Sequence, residues 1–334
     1  MIRYVIKRVL WIPITLWLVA TLMFFMTHLV PGSAVRMLLG PHTSEAQIEK
    51  VTAEYGLDKP LLTQYWAYLG DLAKGDFGKS IVTRRPVLKE LVTYLPATIE
   101  LTLFSLSLII VFGILLGVVA AVHRNSPLDV FARGIAVGGV ALPQFWLGLM
   151  FILVFSYYLG WFPMGGRLSL TLTPPHRITG LYVLDSLLTG NWRVLGNALL
   201  HLLIPGITLA LTNLSTTTAM VRSSMLKTLG EDYTLMARAY GHSAVKVNYV
   251  YALKNSLISA VSVIGLTTGY LLGGAVLVET VFDWPGMGLF AATSILHVDY
   301  APVIGVAIFI AIVYAVVNLV TDLLYALLDP RIRY

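Results

Sequence analysis

Long apolar runs alternate with short polar intervals along most of this chain, and the runs have helical length. Six are long enough to cross a membrane: 9–30, 98–122, 135–159, 195–219, 257–278 and 302–328. Each reaches the roughly 20 residues that a hydrocarbon layer of ~30 Å demands of a helix. None shows the two-residue alternation of a barrel strand. A backbone in lipid must close its own hydrogen bonds, so these runs predict helices. Pro143 stands inside the third run and Pro205 inside the fourth. Each lacks an amide donor and predicts a kink. Gly265, Gly269 and Gly273 recur at spacing four in the fifth run, a ridge that predicts close helix approach.

The pattern breaks most sharply at 222–255, RSSMLKTLGEDYTLMARAYGHSAVKVNYVYALKN. Glu231 and Asp232 follow Gly230 and suit the positive end of a helix, while Arg238 suits the negative end. Gly241 stands where a helix closes in the left-handed conformation. The prediction is a helix of about two or three turns. Tyr233, Met236 and Tyr240 share one side of it, and Leu235 and Arg238 another. Ser243 can cap a second helix running from Ala244 into the fifth span. Such an element either rests on lipid headgroups or enters a protein pocket, and its amphipathicity allows both.

The other large polar interval is 31–96. Ser44 and Gln47 form a capping pair for a helix that Gly56 stops. Pro60 opens a second helix with Leu62, Tyr65, Trp66, Leu69 and Leu72 on one stripe. Two helices make a poor core, so this lid is expected to pack on the membrane helices or on a partner.

Composition agrees with a lipid solvent: 57% of the 334 residues are hydrophobic and 12% charged. There is no cysteine, which excludes disulfides, thiolate zinc and iron–sulfur ligation. The net charge of +6 follows the loops, so no nucleic-acid role is read from it. Lys and Arg in the short loops place both termini and 222–255 in the cytoplasm. The first run has a basic start and no cleavage site, as an uncleaved anchor would.

Chemical motifs are scarce. Ala73–Ser80, AKGDFGKS, lacks the first glycine of a phosphate loop and the strand before it. Gly286–Ala291, GMGLFA, has the letters of a dinucleotide fingerprint without a βαβ unit and is expected to be an outer turn. No nucleophile or metal constellation for a membrane hydrolase can be assembled, and His28, His201 and His297 are far apart. Gln144, His201, Asn213, Ser215 and Thr216–Thr218 are polar residues inside runs. They serve hydrogen bonds between helices, the reading favoured here, or a hydrated pathway. Glu100, Glu279 and Asp322 lie near run ends, where water is expected to reach them and leave them solvated or paired. A self-sufficient channel or secondary transporter would need ionisable groups at mid-depth, and the runs offer almost none.

ARAYG at 237–241 and LKNSL at 253–257 resemble the EAA loop of bacterial ABC-importer permeases. Of the family's Glu-Ala-Ala, falling on Leu235, Met236 and Ala237, only the last agrees. Lys254 stands where the consensus has proline, as in the peptide/nickel branch. KRVLWIPITL, HLVPGSAV, YGLDKPLLTQY, GDFGKS, LPATIEL, PQFWLGL, LGWFPMGG, RSSMLKTLGEDY, LLGGAVLVETVFDWPGMG, DYAPVIG and DLLYALLDPRIRY extend the likeness to that branch over almost the whole chain. The resemblance implies an all-α, six-span type I permease: a first span in 1–30, a periplasmic helical insertion in 31–96 and a five-helix core in 97–334. It implies a plasma-membrane importer subunit that pairs with a second permease, two ATPase subunits and an outer substrate-binding protein. ATP and Mg then belong to the ATPases, and this chain holds no cofactor or metal. Glu231, Asp232, Tyr233, Met236, Ala237, Arg238, Ala239 and Gly241 become the coupling helix for the ATPase, and Gln144, Asn213, Ser215 and Thr216 the pathway candidates. Di- or oligopeptides are the expected substrate, with glutathione or chelated nickel as the alternative.

Overall fold

A computed structural model describes residues 2–29 and 58–328. Among these residues every regular element is a helix. In chain order they are α1 (Ile2–Leu29), α2 (Leu61–Ala73), α3 (Val87–Val122), α4 (Pro127–Ala141) and α5 (Gln144–Tyr158). There follow α6 (Tyr182–Leu188), α7 (Trp192–Leu229) and α8 (Asp232–Ala239). Next is α9, which opens at Ala244–Lys246, passes a π-helical stretch Val247–Ala252 and continues as Leu253–Val281. The last are α10 (Met287–Leu296) and α11 (Tyr300–Leu328).

Among the described residues five helices are long and apolar enough to cross a membrane, and a sixth span requires α4 and α5 to count as one. The third predicted run is not a continuous helix: α4 and α5 meet at 108°. Pro143 causes this by holding Leu142 extended, at φ −96° and ψ 133°. At Pro205 the helix α7 continues as one element. The predicted helix at 44–55 lies outside the described residues.

The chain forms two compact units. One comprises Val9–Leu95 with Phe290–Val313. There α1 and α2 meet through Phe24, Tyr65 and Tyr68, whose rings lie 5.3 and 5.4 Å from that of Phe24. Thr21 Oγ1 and Tyr65 Oη are 2.8 Å apart, and Tyr68 Oη donates to the Ala20 carbonyl. Burial pushes the Tyr68 hydroxyl well above its ordinary pKa. The expected stripe is only partly covered, since Leu62 and Trp66 are exposed while Tyr65 is buried.

The other unit comprises Met1–Arg8, Pro96–Leu289 and Tyr314–Tyr334. Its axis is α7, about 57 Å long at 1.5 Å per residue for 38 residues. Around it pack α3, α4, α5, α6 and α9. Asn191 and Ser126 cap α7 and α4 through their side chains. Leu101, Ile109, Leu202, Leu209, Leu271, Val278, Phe282 and Trp284 form the main core. Phe104 lies where a side chain at Gly206 would stand, and Ser215 does the same at Gly139. The ridge on α9 is used in part: Gly265 receives Thr321 and Gly269 receives Tyr314, while Gly273 faces open space.

Candidate functional site

The short helix of the 222–255 stretch is α8, eight residues long. Gly230 ends α7, and Glu231 starts α8 from an extended conformation without a side-chain cap. At the far end Gly241 has φ +78°. Its amide donates to the Arg238 carbonyl, 2.9 Å, and that of His242 to the Ala237 carbonyl, 3.2 Å. These two bonds are the Schellman closure, and they require the left-handed residue that glycine supplies.

Thr234, which periodicity did not single out, anchors α8. It is fully buried, and its hydroxyl lies 3.0, 3.1 and 2.7 Å from the carbonyls of Thr228, Leu229 and Glu231. A hydroxyl in a first helical turn that can reach back to the preceding carbonyls was the available signal. Asn255 Nδ2 donates to Tyr233 Oη at 2.7 Å, and the His242 ring lies 5.5 Å from Tyr251. Just inside, Val118, Ala121, Val221, Met225, Ala252 and Ala260 make an apolar seal.

The outward faces of α8 are open. Leu235, Met236 and Tyr240 are 49, 58 and 76% exposed, and Tyr233 is 40%. Glu231, Asp232, Arg238 and Ala239 are also exposed, and Ala237 is half-buried. Both predicted sides, Tyr233/Met236/Tyr240 and Leu235/Arg238, therefore face outward. The chain itself covers only the Thr234 side. Arg222 differs from the rest of the stretch. It grips the fully buried Asp129 with two bonds, Nε to Oδ1 at 2.7 Å and Nη2 to Oδ2 at 2.9 Å. This half-buried charge ties α7 to α4.

At the opposite end of α7 the polar groups turn inward. Glu100, expected near water, is buried and paired with buried Arg167. Glu100 also accepts from the Val183 amide at 2.7 Å, and the Arg167 guanidinium lies 3.7 Å over the Tyr182 ring. Glu279, likewise expected near water, is fully buried. Its carboxylate accepts from Thr98 Oγ1 and the Gly288 amide, both at 2.6 Å, and from the Leu289 amide at 3.1 Å. The segment expected to be an outer turn, 286–291, is mostly the start of α10 wrapped around that carboxylate. The side chain of Asp322 lies outside the described residues. Asp185 accepts from the amides of Ile178, Thr179 and Gly180 and from the Thr179 hydroxyl. Burial pushes its carboxyl up, but these bonds outweigh burial and hold it below the usual carboxylate range.

The polar residues inside the runs have separate placements. His201 is buried, with Nδ1 3.0 Å from the Gly165 carbonyl and Nε2 3.3 Å from Ser169 Oγ. Ser215 is buried and donates toward the Ile135 and Leu211 carbonyls, a bond between helices. Gln144 is half-buried and donates to the Leu209 carbonyl at 3.3 Å. Asn213 is half-buried and Thr216 exposed. Among the described residues no group of three metal-ligating side chains occurs. The AKGDFGKS segment ends with Ser80 Oγ donating to the Asp299 carboxylate at 2.6 Å.

Two family models cover nearly the whole chain. The one described as the binding-protein-dependent transport system inner membrane component matches residues 113–334, and its N-terminal counterpart matches 1–102. A probable D,D-dipeptide transport system permease protein of Escherichia coli K12 is 47% identical over 94% of this chain and 92% of its own. A dipeptide transport system permease protein of Alkalihalophilus pseudofirmus is 39% identical over the full length of both. A glutathione transport system permease protein of Escherichia coli K12 is 36% identical, again over the full length of both.

Proposed function

Because the chain belongs to the family of binding-protein-dependent transport system inner membrane components, we propose that it is the permease subunit through which di- or oligopeptides cross the inner membrane, driven by ATP hydrolysed elsewhere. In this reading α8 is the surface on which a separate ATPase subunit acts. Glu231 and Asp232 set its start, Gly241 its end, and Tyr233, Met236, Ala237, Arg238 and Ala239 meet the ATPase. The observation that carries the reading is an eight-residue helix, closed at its C-terminal end by Gly241 and anchored by Thr234, whose apolar and basic faces the chain leaves uncovered. Tyr, Met and Arg are the residue types that fill a protein pocket.

The remaining parts follow from that role. A second, homologous permease completes the pathway, two ATPases carry ATP and Mg, and an outer binding protein delivers substrate. Both termini are cytoplasmic, and 31–96 is an outer insertion ahead of the core in 97–334. Gln144, Asn213, Ser215 and Thr216 are the pathway residues of this reading. The full-length likeness to a glutathione permease supports a second substrate, glutathione, itself a modified tripeptide.

The test replaces Ala237 or Gly241 by aspartate in the transporter expressed with its native neighbours. Insertion should persist, ATP-driven dipeptide uptake should disappear, and the ATPase should no longer co-purify. Normal uptake by both variants would sink the assignment of α8.

A further inference from the structure

The break between α4 and α5 lies close to the middle of α7, because Gln144 bonds the Leu209 carbonyl there. A helix break at that depth creates a specific problem. The last carbonyls of α4 and the first amides of α5 have no partners within their own helices. Pro143 supplies no amide, and α5 begins without a side-chain cap. Lipid offers such groups nothing, so irregular backbone survives at this depth only inside protein or against water. Yet the chain does not cover the break. Ala141, Leu142 and Pro143 are exposed, and a Cβ added at Gly134 or Gly138 would meet nothing within 4 Å.

We infer that Gly138 and residues 140–144 line the aqueous pathway, with the unpaired backbone of the break facing it. The inference rests on the permease reading above and extends its candidate at this place, Gln144, to the backbone of the break. A transporter that opens must wet some mid-depth surface. Among the described residues this is the one apolar helix pair bent at such a break. Open carbonyls beside open amides also complement a peptide's own backbone, so the surface suits water and a passing peptide alike. A lining wholly of side chains would not have that match.

The absence of native cysteine makes the test direct. Ala141→Cys, Leu142→Cys and Gly138→Cys are made singly in the assembled transporter, with Leu103→Cys and Leu115→Cys in the α-helical parts of α3 as exposed apolar controls. Membranes are treated with a charged, membrane-impermeant methanethiosulfonate, and modification of this chain is followed by mass. Thiolate forms only where water reaches, so the break positions should react at least about ten times faster than the controls. Reaction no faster than the controls, in variants that retain ATP-driven dipeptide uptake, overturns the inference and means that protein or lipid covers the break. Three positions are used so that misfolding of one variant leaves the question decidable. Failure of the unsubstituted chain to support any uptake would instead strike the permease reading itself.

Discussion

The two ends of α7 are built on opposite rules. At the α8 end the charged and apolar side chains point away from the body, and one threonine does the anchoring. At the other end Glu100, Arg167, Asp185 and Glu279 are buried and held by internal bonds. Under the proposed function the α8 end receives a partner, and it leaves its outward groups uncovered. A surface meant to hold helices together spends its bonding capacity within the chain. Residue type does not separate the two, since carboxylates and basic groups occur at both.

Substitutions measure that contrast. The largest effect is expected at the buried end. Glu100→Ala strips Arg167 of its counter-charge in a dry site, and breaking such a pair costs about 3–5 kcal/mol. Loss of folded protein in detergent, followed by thermal unfolding, checks it, and unchanged stability would show that water reaches the pair. Glu279→Leu is expected to cost at least as much. It orphans the Thr98 hydroxyl and the Gly288 and Leu289 amides, each costing about 1–3 kcal/mol when left unpaired. Glu279→Gln, which keeps two acceptor positions, should recover part of the loss.

Smaller effects are expected at the α8 end. Gly241→Ala places a Cβ in the left-handed conformation, although space around it is open, and should cost about 1–2 kcal/mol. Gly241→Asn should cost less, because asparagine tolerates that conformation. Met236→Ala and Tyr240→Ala remove exposed groups and should leave stability within about 0.5 kcal/mol of the parent. Under the proposed function they should still reduce uptake. A stability loss as large as at Glu100 would erase the distinction between the two ends.

The smallest effect concerns pH. The folded-state carboxyl of Asp185 lies below its ordinary value, so its contribution is complete above the unfolded pKa, about 4. It is lost as pH falls through the lower folded value. Asp185→Asn should therefore flatten the acid limb of stability and leave the neutral region with only the cost of the changed hydrogen bonds.

The α8 knob was legible in sequence because its determinants are local. Acids at the start, Arg238 near the finish and Gly241 at the close act over a dozen residues. Its two faces were read correctly as amphipathic, but Thr234 was missed, since its role depends on carbonyls that only the folded turn assembles. The proline break was legible as a disturbance and not as a 108° bend, because neighbours decide how far a helix turns once its hydrogen bond is gone.

Hydrophobic length alone determined an all-helical membrane protein with about six spans, since lipid selects any run that can satisfy its own backbone. Local charge and a closing glycine determined where α8 starts and stops. Which charges face inward was decided by tertiary structure. Glu100 finds Arg167 across 67 positions, Asp129 finds Arg222 across 93, and Glu279 finds Thr98 across 181. A carboxylate near the end of an apolar run has the same sequence signature whether it meets water or a buried donor, and only helix packing distinguishes the two.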